Sequence, residues 1–293
     1  MVVWKGKGDM KVMISGTGGL IGSALKSTLE REGCDVVALP RSYEQKLDFR
    51  GVDTVIHLAG ESIAKGRWNT EKKRRIRASR ISGTKQLAEQ MADSEFKPLN
   101  FICASAIGYY GDRGDEILDE SSDAGQGFLP EVCEEWEQAT AAASDAGIRT
   151  LNIRTGIVLS AQGGALKTML PPFMAGLGGI LGHGSQYMSW ISLDDEISII
   201  RYLMNHEGMH GEVNLVSPNP VTNREFTKIL STVIKRPAFL PMPAVAARIL
   251  FGEMADALLL SSTRVYPRKL LDSGYEFIHP TLESALRKVL NEQ

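Results

Sequence analysis

A chain of 293 residues, 43% apolar and 23% charged, has the make-up of a globular protein with one large or two smaller cores. Its formal net charge of -2 sets up no field that would draw it to nucleic acid or anionic lipid. Cys34, Cys103 and Cys133 lack metal-ligand spacing, no run nears the roughly 18 apolar residues of a membrane helix, and "MVVWKGKGD" has no apolar signal-peptide core; a reducing, cytoplasmic setting without membrane or metal is expected, with an organellar address left open.

In chain order, short β-rich runs alternate with helical patterns. "KVMIS" (11–15) reads as a buried strand. "LIGSALKSTLERE" (20–32) places Leu20, Ala24, Leu25 and Leu29 on one helical face, and Gly33 closes it. "DVVALP" and "DTVIHLAG" are nearly continuous apolar runs, as expected of strands covered on both faces. A helix over about Thr70 to Ala92, strand "FICASA", a helix after Pro130 and strand "RTLNIRTGIVL" follow. Such alternation predicts an α/β fold with a doubly wound parallel sheet. After about Ser160 the chain turns rich in glycine and proline; "LDDEISIIRYLMNH" and "EVNLVS" then look like a helix and strand completing the sheet. The mostly helical remainder, with "PNPVTNREF" as a helix start, predicts a smaller C-terminal lobe. The expected division is a nucleotide domain over 10–160, completed by about 185–217, and a substrate lobe from 161–184 and 218–293.

"ISGTGGLIGSAL" joins the first strand to the first helix. Gly16 permits the tight turn, Gly19 lets backbone N–H groups approach a pyrophosphate at the helix N-terminus, and Gly22 lets helix and strand pack closely. At the end of the second strand, "LPRS" lacks the carboxylate that usually holds the ribose hydroxyls of NAD. Arg41 and Ser42 there favour the 2′-phosphate of NADP (NADPH). In "HLAG", small Ala59 and Gly60 let the backbone lie beside the adenosine side, and His57 is read as packed at the strand end. The basic helix carries Lys72, Lys73, Arg74, Arg75, Arg77 and Arg80. The stripe Ile76, Thr84, Leu87, Ala88 and Met91 lays it on the sheet, so most of these charges are read as a solvated face and not as a nucleic-acid surface.

These residues resemble the extended short-chain dehydrogenase/reductase superfamily, and more closely its atypical branch of epimerase family proteins, related to sugar-nucleotide epimerases. The resemblance rests on "GTGGLIG", "HLAGESIAKGRW", "KKRRIRASRISGT", "ASAIGYYG", "FLPEVCEEWE", "RTGIVLSAQGGAL", "PPFMAGLGGILGHGSQYMSWISLDD", "PNPVTNREF" and "GYEFIHPTLESAL", almost end to end. It implies a Rossmann-like domain, a nicotinamide dinucleotide and a C-terminal substrate lobe. Thr17 and Gly18 stand in swapped order within the glycine motif. The resemblance further implies that Leu20 and Ile21 offer N–H groups to the pyrophosphate, that Leu58 and Ala59 line the adenosine side, that Arg80 stands close to the cofactor riboses, and that Val158 meets the nicotinamide carboxamide.

The likeness breaks at the catalytic set. Four residues before the tyrosine of "YG" stands Ala106, with Ser105 one place early. The positions of the usual Y-x-x-x-K fall on Leu129 and Cys133. Ser105, Tyr109 and Tyr110, at a strand's C-terminal end, are the candidate replacements. Cys133, amid Glu134, Glu135 and Glu137, is read as structural. Gln186, Met188, Ser189 and Trp190 are candidate pocket walls, while Asp194 and Asp195 are expected to cap the next helix. Two readings compete: an NADP(H)-dependent oxidoreductase or epimerase-like enzyme acting on a small molecule such as a sugar nucleotide or carbonyl compound, and a non-catalytic NADP(H)-binding regulator or redox sensor. A monomer or homodimer is expected.

Overall fold

A computed structural model of the chain describes residues 10–64 and 66–291. The N-terminal stretch read for a signal peptide lies outside the described residues. Strands β1 (Lys11–Ser15), β2 (Asp35–Ala38), β3 (Thr54–His57) and β4 (Asn100–Ala106) alternate with helices α1 (Leu20–Arg31) and α2 (Thr70–Ala92). Next come β5 (Ile117–Leu118), α3 (Phe128–Gln138), α4 (Ala141–Asp145), β6 (Arg149–Thr155), β7 (Ile157–Leu159) and α5 (Gly164–Met174). The chain continues through β8 (Tyr187–Met188), β9 (Trp190–Ser192), α6 (Leu193–Asn205), β10 (Gly211–Leu215), β11 (Val221–Thr222), α7 (Asn223–Ile234), α8 (Ala244–Phe251), β12 (Arg264–Val265), α9 (Arg268–Asp272) and α10 (Leu282–Asn291).

Six strands form one parallel sheet in the order β2-β1-β3-β4-β6-β10. The chain steps outward from β1 to β2, then crosses back to β3 on the other side of β1. The C-terminal ends of β1 and β3 therefore flank a crevice where the strand order reverses. Alternation along the strands makes two cores. Val12, Ile14, Ile56, Ile102, Leu151 and Ile153 face α1 and α6 through Leu25, Leu29, Ile199, Ile200 and Leu203. Met13, Val55, Phe101 and Cys103 face α2 and α3 through Leu87, Ala88, Met91 and Trp136. Each large aliphatic side chain so buried stabilises the fold by about 1.5–3 kcal/mol.

The expected strand over 149–159 is two strands. Gly156 breaks it, because a Cβ there would sit 2.8 Å from the Ser189 carbonyl oxygen. Beyond it β7 leaves the sheet and pairs with β9. Helix α3 starts at Phe128, two residues ahead of Pro130, whose missing N–H costs nothing in a first turn that has no helical acceptors. Helix α7 begins on a reciprocal Thr222–Glu225 capping box. Helix α6 is capped by Ser192, while Asp195 binds the backbone N–H groups of Ile278 and His279. A third apolar cluster, with Leu166, Phe173, Trp190, Phe226, Leu230 and Leu286, joins α5, β9, α7 and α10.

Candidate functional site

The crevice is built of backbone. Gly16 has φ +74, and a Cβ there would lie 2.8 Å from the Leu58 carbonyl, so only glycine lets the loop touch the end of β3. A Cβ on Gly22 would collide with the Gly16 carbonyl oxygen. Gly19 differs: it is extended, its N–H donates to Gly16 O at 2.9 Å, and a Cβ would meet only that oxygen, at 3.3 Å. Gly18 is open, with nothing within 4 Å of a Cβ, and Thr17 beside it is half-buried. Gly19 is the N-cap of α1 and brings no side chain to cap it. The first N–H groups of that helix, from Leu20 and Ile21 onward, thus face the crevice end with the dipole's positive pole behind them.

A cavity of about 250 Å³ runs from this loop along the sheet end. Gly16, Gly19, Leu20, Ile21, Gly22 and Leu58 form one wall; Ala104, Ser105, Thr155 and Val158 form the other. Beyond the end of β2, Arg41 and Ser42 are exposed, and among the described residues no side-chain bond holds either. The N–H groups of Leu58 and Ala59 donate to Ser15 Oγ, at 3.0 and 3.2 Å. Arg80 lies against Gly60, donates to the Glu61 carbonyl at 3.0 Å and stacks over Trp136 at 5.0 Å; burial lowers its pKa. It braces the segment following β3. The other helix cations pair with acids: Lys72 with Glu61, Lys73 with Glu253, Arg74 with Glu71, Arg75 with Glu71 and Glu61, and Arg77 with Glu135 and Glu131.

The opposite end is built of side chains. Arg154 on β6 and Glu137 on α3 form an ion pair at 2.7 Å, their side chains 3% and 8% exposed. Burial opposes the guanidinium charge, but Glu137 more than offsets it and holds Arg154 charged. Ser105 Oγ donates to Glu137 at 2.6 Å. The Tyr110 hydroxyl accepts from Arg154 at 3.0 Å and donates to Asn214 Oδ1 at 2.8 Å. Tyr110 is fully buried, and that burial pushes its pKa up to about 12. Tyr109 is half-buried, with the Arg154 guanidinium 3.5 Å from its ring centroid. Burial raises its pKa while Arg154 works against the rise. Of the three replacement candidates, Ser105 lines the cavity and Tyr109 is part-exposed, whereas Tyr110 is locked inside the network.

Leu129 and Cys133 sit directly beneath the strand-end turn: a Cβ on Gly108 would lie 3.5 Å from Leu129 Cβ and 3.7 Å from Cys133 Sγ. Cys133 has cations near it in space, Arg80 and Arg154, yet burial, followed by Glu137, pushes its thiol up to about 12. Leu129, by contrast, packs with Phe128, Phe251 and Leu258 on an apolar cluster of Trp68, Ile76, Val132 and Met254. The lobe is fastened there by Lys73–Glu253 at 2.5 Å and by Arg67 donating to the Ile249 carbonyl at 2.9 Å.

The expected pocket walls fare unevenly. Gln186, Ser189 and Trp190 are buried, at 1%, 1% and 0% exposure, and donate to the backbone carbonyls of Leu181, Thr263 and Asn219. They fasten the strand that returns to the sheet; Met188 alone of the four is half-buried. Not anticipated were Ala104 and Thr155 in the cavity wall, and Glu137, Arg154 and Asn214 in the network. One legible signal existed for them: an arginine inside the apolar run "LNIRTGIVL" demands a buried anion. Among the described residues no cluster could hold a metal ion, and no helix is long and apolar enough to cross a membrane.

Sequence comparison places these features in context. Residues 242–289 match a domain of unknown function, DUF1731. An epimerase family protein of Mycobacterium bovis, Mb2239, is 41% identical over 290 residues, covering 94% of this chain and 96% of that protein. The crystal structure of human epimerase family protein SDR39U1 (isoform 2) with NADPH superposes with a TM-score of 0.92 at 30% identity, covering 97% of this chain and all of that one. A UDP-glucose 4-epimerase from Thermotoga maritima shares the fold, with a TM-score of 0.75 at 17% identity over 97% and 99% of the two chains. The sequence model of the NAD dependent epimerase/dehydratase family matches residues 12–216, and the chain belongs to that family.

Proposed function

We propose that this protein binds NADPH in the crevice and acts as an atypical, epimerase-like oxidoreductase on a small carbonyl compound or sugar nucleotide. The carrying observation is the cavity that links the uncapped N-terminus of α1 to Thr155, Val158 and Ser105. The glycine contacts fit a pyrophosphate against Gly19, Leu20 and Ile21, and the exposed Arg41 and Ser42 suit a 2′-phosphate. The human relative solved with NADPH supports the same cofactor. When bound, the nicotinamide supplies the hydride chemistry. Tyr109 is the ionisable hydroxyl with an open side at that end; burial raises its pKa and keeps it a protonated donor, while Arg154 over its ring moderates the rise. Ser105 and Tyr110 hold Glu137 and Arg154 in place beneath it.

Isothermal titration is expected to show tighter binding of NADPH than NADH, with Arg41→Asp erasing or reversing the preference. Gly19→Val is expected to fold, since only Gly16 O stands near the new side chain, but to lose dinucleotide binding. Normal NADPH binding by Gly19→Val would move the site elsewhere. One observation favours a regulator without turnover: the position of the usual tyrosine is filled by Leu129, an apolar contact with Phe251, Met254 and Leu258, and that of the lysine by the buried Cys133. That reading gains if NADPH binds but a panel of carbonyl compounds and sugar nucleotides gives no NADPH oxidation.

A further inference from the structure

His57 stands at the C-terminal end of β3 and is 1% exposed. Its Nδ1 lies 2.7 Å from Ser15 Oγ and 3.2 Å from the Tyr43 hydroxyl. Which tautomer is present follows from counting. Ser15 Oγ already accepts two hydrogen bonds, from the N–H groups of Leu58 and Ala59, which uses both of its lone pairs. Its own hydrogen goes to His57, so Nδ1 is the acceptor, its single lone pair shared between the Ser15 hydroxyl at 2.7 Å and, more weakly, the Tyr43 hydroxyl at 3.2 Å, and the ring proton sits on Nε2. That nitrogen has no partner among the described residues, and burial holds the ring neutral, lowering its pKa to about 4. A buried imidazole with one unsatisfied nitrogen is costly, which gives weight to what the other nitrogen holds.

It holds two loops. Through Ser15 it sets the Leu58–Ala59 backbone, the surface against which Gly16 packs and part of the cavity wall. Through Tyr43 it reaches the loop that begins with Arg41 and Ser42, whose side chains have no tether of their own among the described residues. That loop is further pinned by Gln90, which donates to the Tyr43 carbonyl at 2.6 Å and accepts from Leu47 N at 2.8 Å. We propose that His57 is a positioning residue for cofactor selection: one ring nitrogen fixes the adenosine-side wall and the phosphate-reading loop relative to each other. The inference rests on the reading that Arg41 holds a 2′-phosphate.

Binding of NADPH and NADH is measured by titration on the full chain, so no turnover is needed. Tyr43→Phe is expected to weaken NADPH about two- to threefold, the worth of the weaker branch of a shared hydrogen bond, with NADH unchanged. His57→Leu is expected to weaken both dinucleotides, NADPH more. His57→Asn puts an amide oxygen where Nδ1 stands and is expected to recover most of both. A general loss of stability would move the two affinities together and leave their ratio unchanged. The proposal is overturned if Tyr43→Phe leaves the NADPH-to-NADH ratio unchanged, or if His57→Asn binds as poorly as His57→Leu. Arg41→Ala separates the two ideas: an unchanged ratio there sinks the phosphate reading itself, and with it the selection role, whatever Tyr43→Phe does.

Discussion

The two ends of the crevice are made differently. The glycine cradle is a backbone structure formed by neighbours in sequence: a strand, the four glycines Gly16, Gly18, Gly19 and Gly22 and a helix start within Lys11–Arg31, closed by the end of β3. The opposite end is a side-chain structure whose parts come from β4, α3, β6 and β10, with Ser105, Glu137, Arg154 and Asn214 meeting only in the fold. A cradle of N–H groups tolerates almost any change that keeps its glycines. A network of buried charges changes function with one substitution. At this second end Leu129 packs on the apolar cluster of Trp68, Ile76, Val132 and Met254.

The largest effect that would break this comparison concerns Tyr109. If it supplies the proton, Tyr109→Phe is expected to cut turnover by about 10²–10⁴ with NADPH affinity unchanged, while Cys133→Ala leaves both near the parent values. Steady-state rates with titrated cofactor binding check it. A comparable loss from Cys133→Ala would return the chemistry to the start of α3 and void the assignment of that region to packing.

The second effect concerns stability. Glu137→Leu strands the Arg154 guanidinium without its carboxylate, and breaking a buried pair costs about 3–5 kcal/mol. The double variant Glu137→Leu with Arg154→Met is expected to recover most of that, because the desolvation cost of the arginine disappears too. Denaturant melts decide it. If the double variant is as unstable as the single one, Arg154 stabilises chiefly through Tyr109 and Tyr110 and not through Glu137.

The same difference explains what was legible beforehand. The parallel sheet, the stripe of α2 and the glycine cradle follow from periodicity and spacing, which are local. The break at Gly156 was not legible, because its cause is a carbonyl 33 positions away, at Ser189. Gln186, Ser189 and Trp190 looked like pocket walls since polar and aromatic residues cluster there, but their partners are backbone carbonyls supplied by Leu181, Thr263 and Asn219. In sequence Glu137 reads only as one of the acids around Cys133, and nothing in its own surroundings points to Arg154. Asp194 and Asp195 suggested a cap that Ser192 provides instead.

A third effect, seen as a pH dependence, is expected where the two ends meet. Thr155 lines the cavity, and its hydroxyl donates at 2.9 Å to Glu196, which is 0% exposed and whose second oxygen has no partner among the described residues. Burial lifts this carboxyl from 4.5 to about 8. The folded state therefore keeps a proton that the unfolded chain releases near pH 4.5, so folding is favoured at low pH. That advantage is lost as pH rises toward the folded value, at up to about 1.4 kcal/mol per pH unit for one group, and no further above it. Glu196→Gln cannot ionise. Its amide keeps an acceptor for Thr155 but brings an N–H without a partner, so at pH 5 the variant is expected to be equal to the parent or slightly less stable. From pH 5 to 6 the parent is expected to lose about 1.2 kcal/mol relative to the variant, which reverses the order, and near pH 8 the variant is clearly the more stable protein. Urea melts across that range test it: parallel curves for parent and variant would mean that Glu196 is solvated or paired, and that the floor of the cavity beneath Thr155 is wetter than its packing implies.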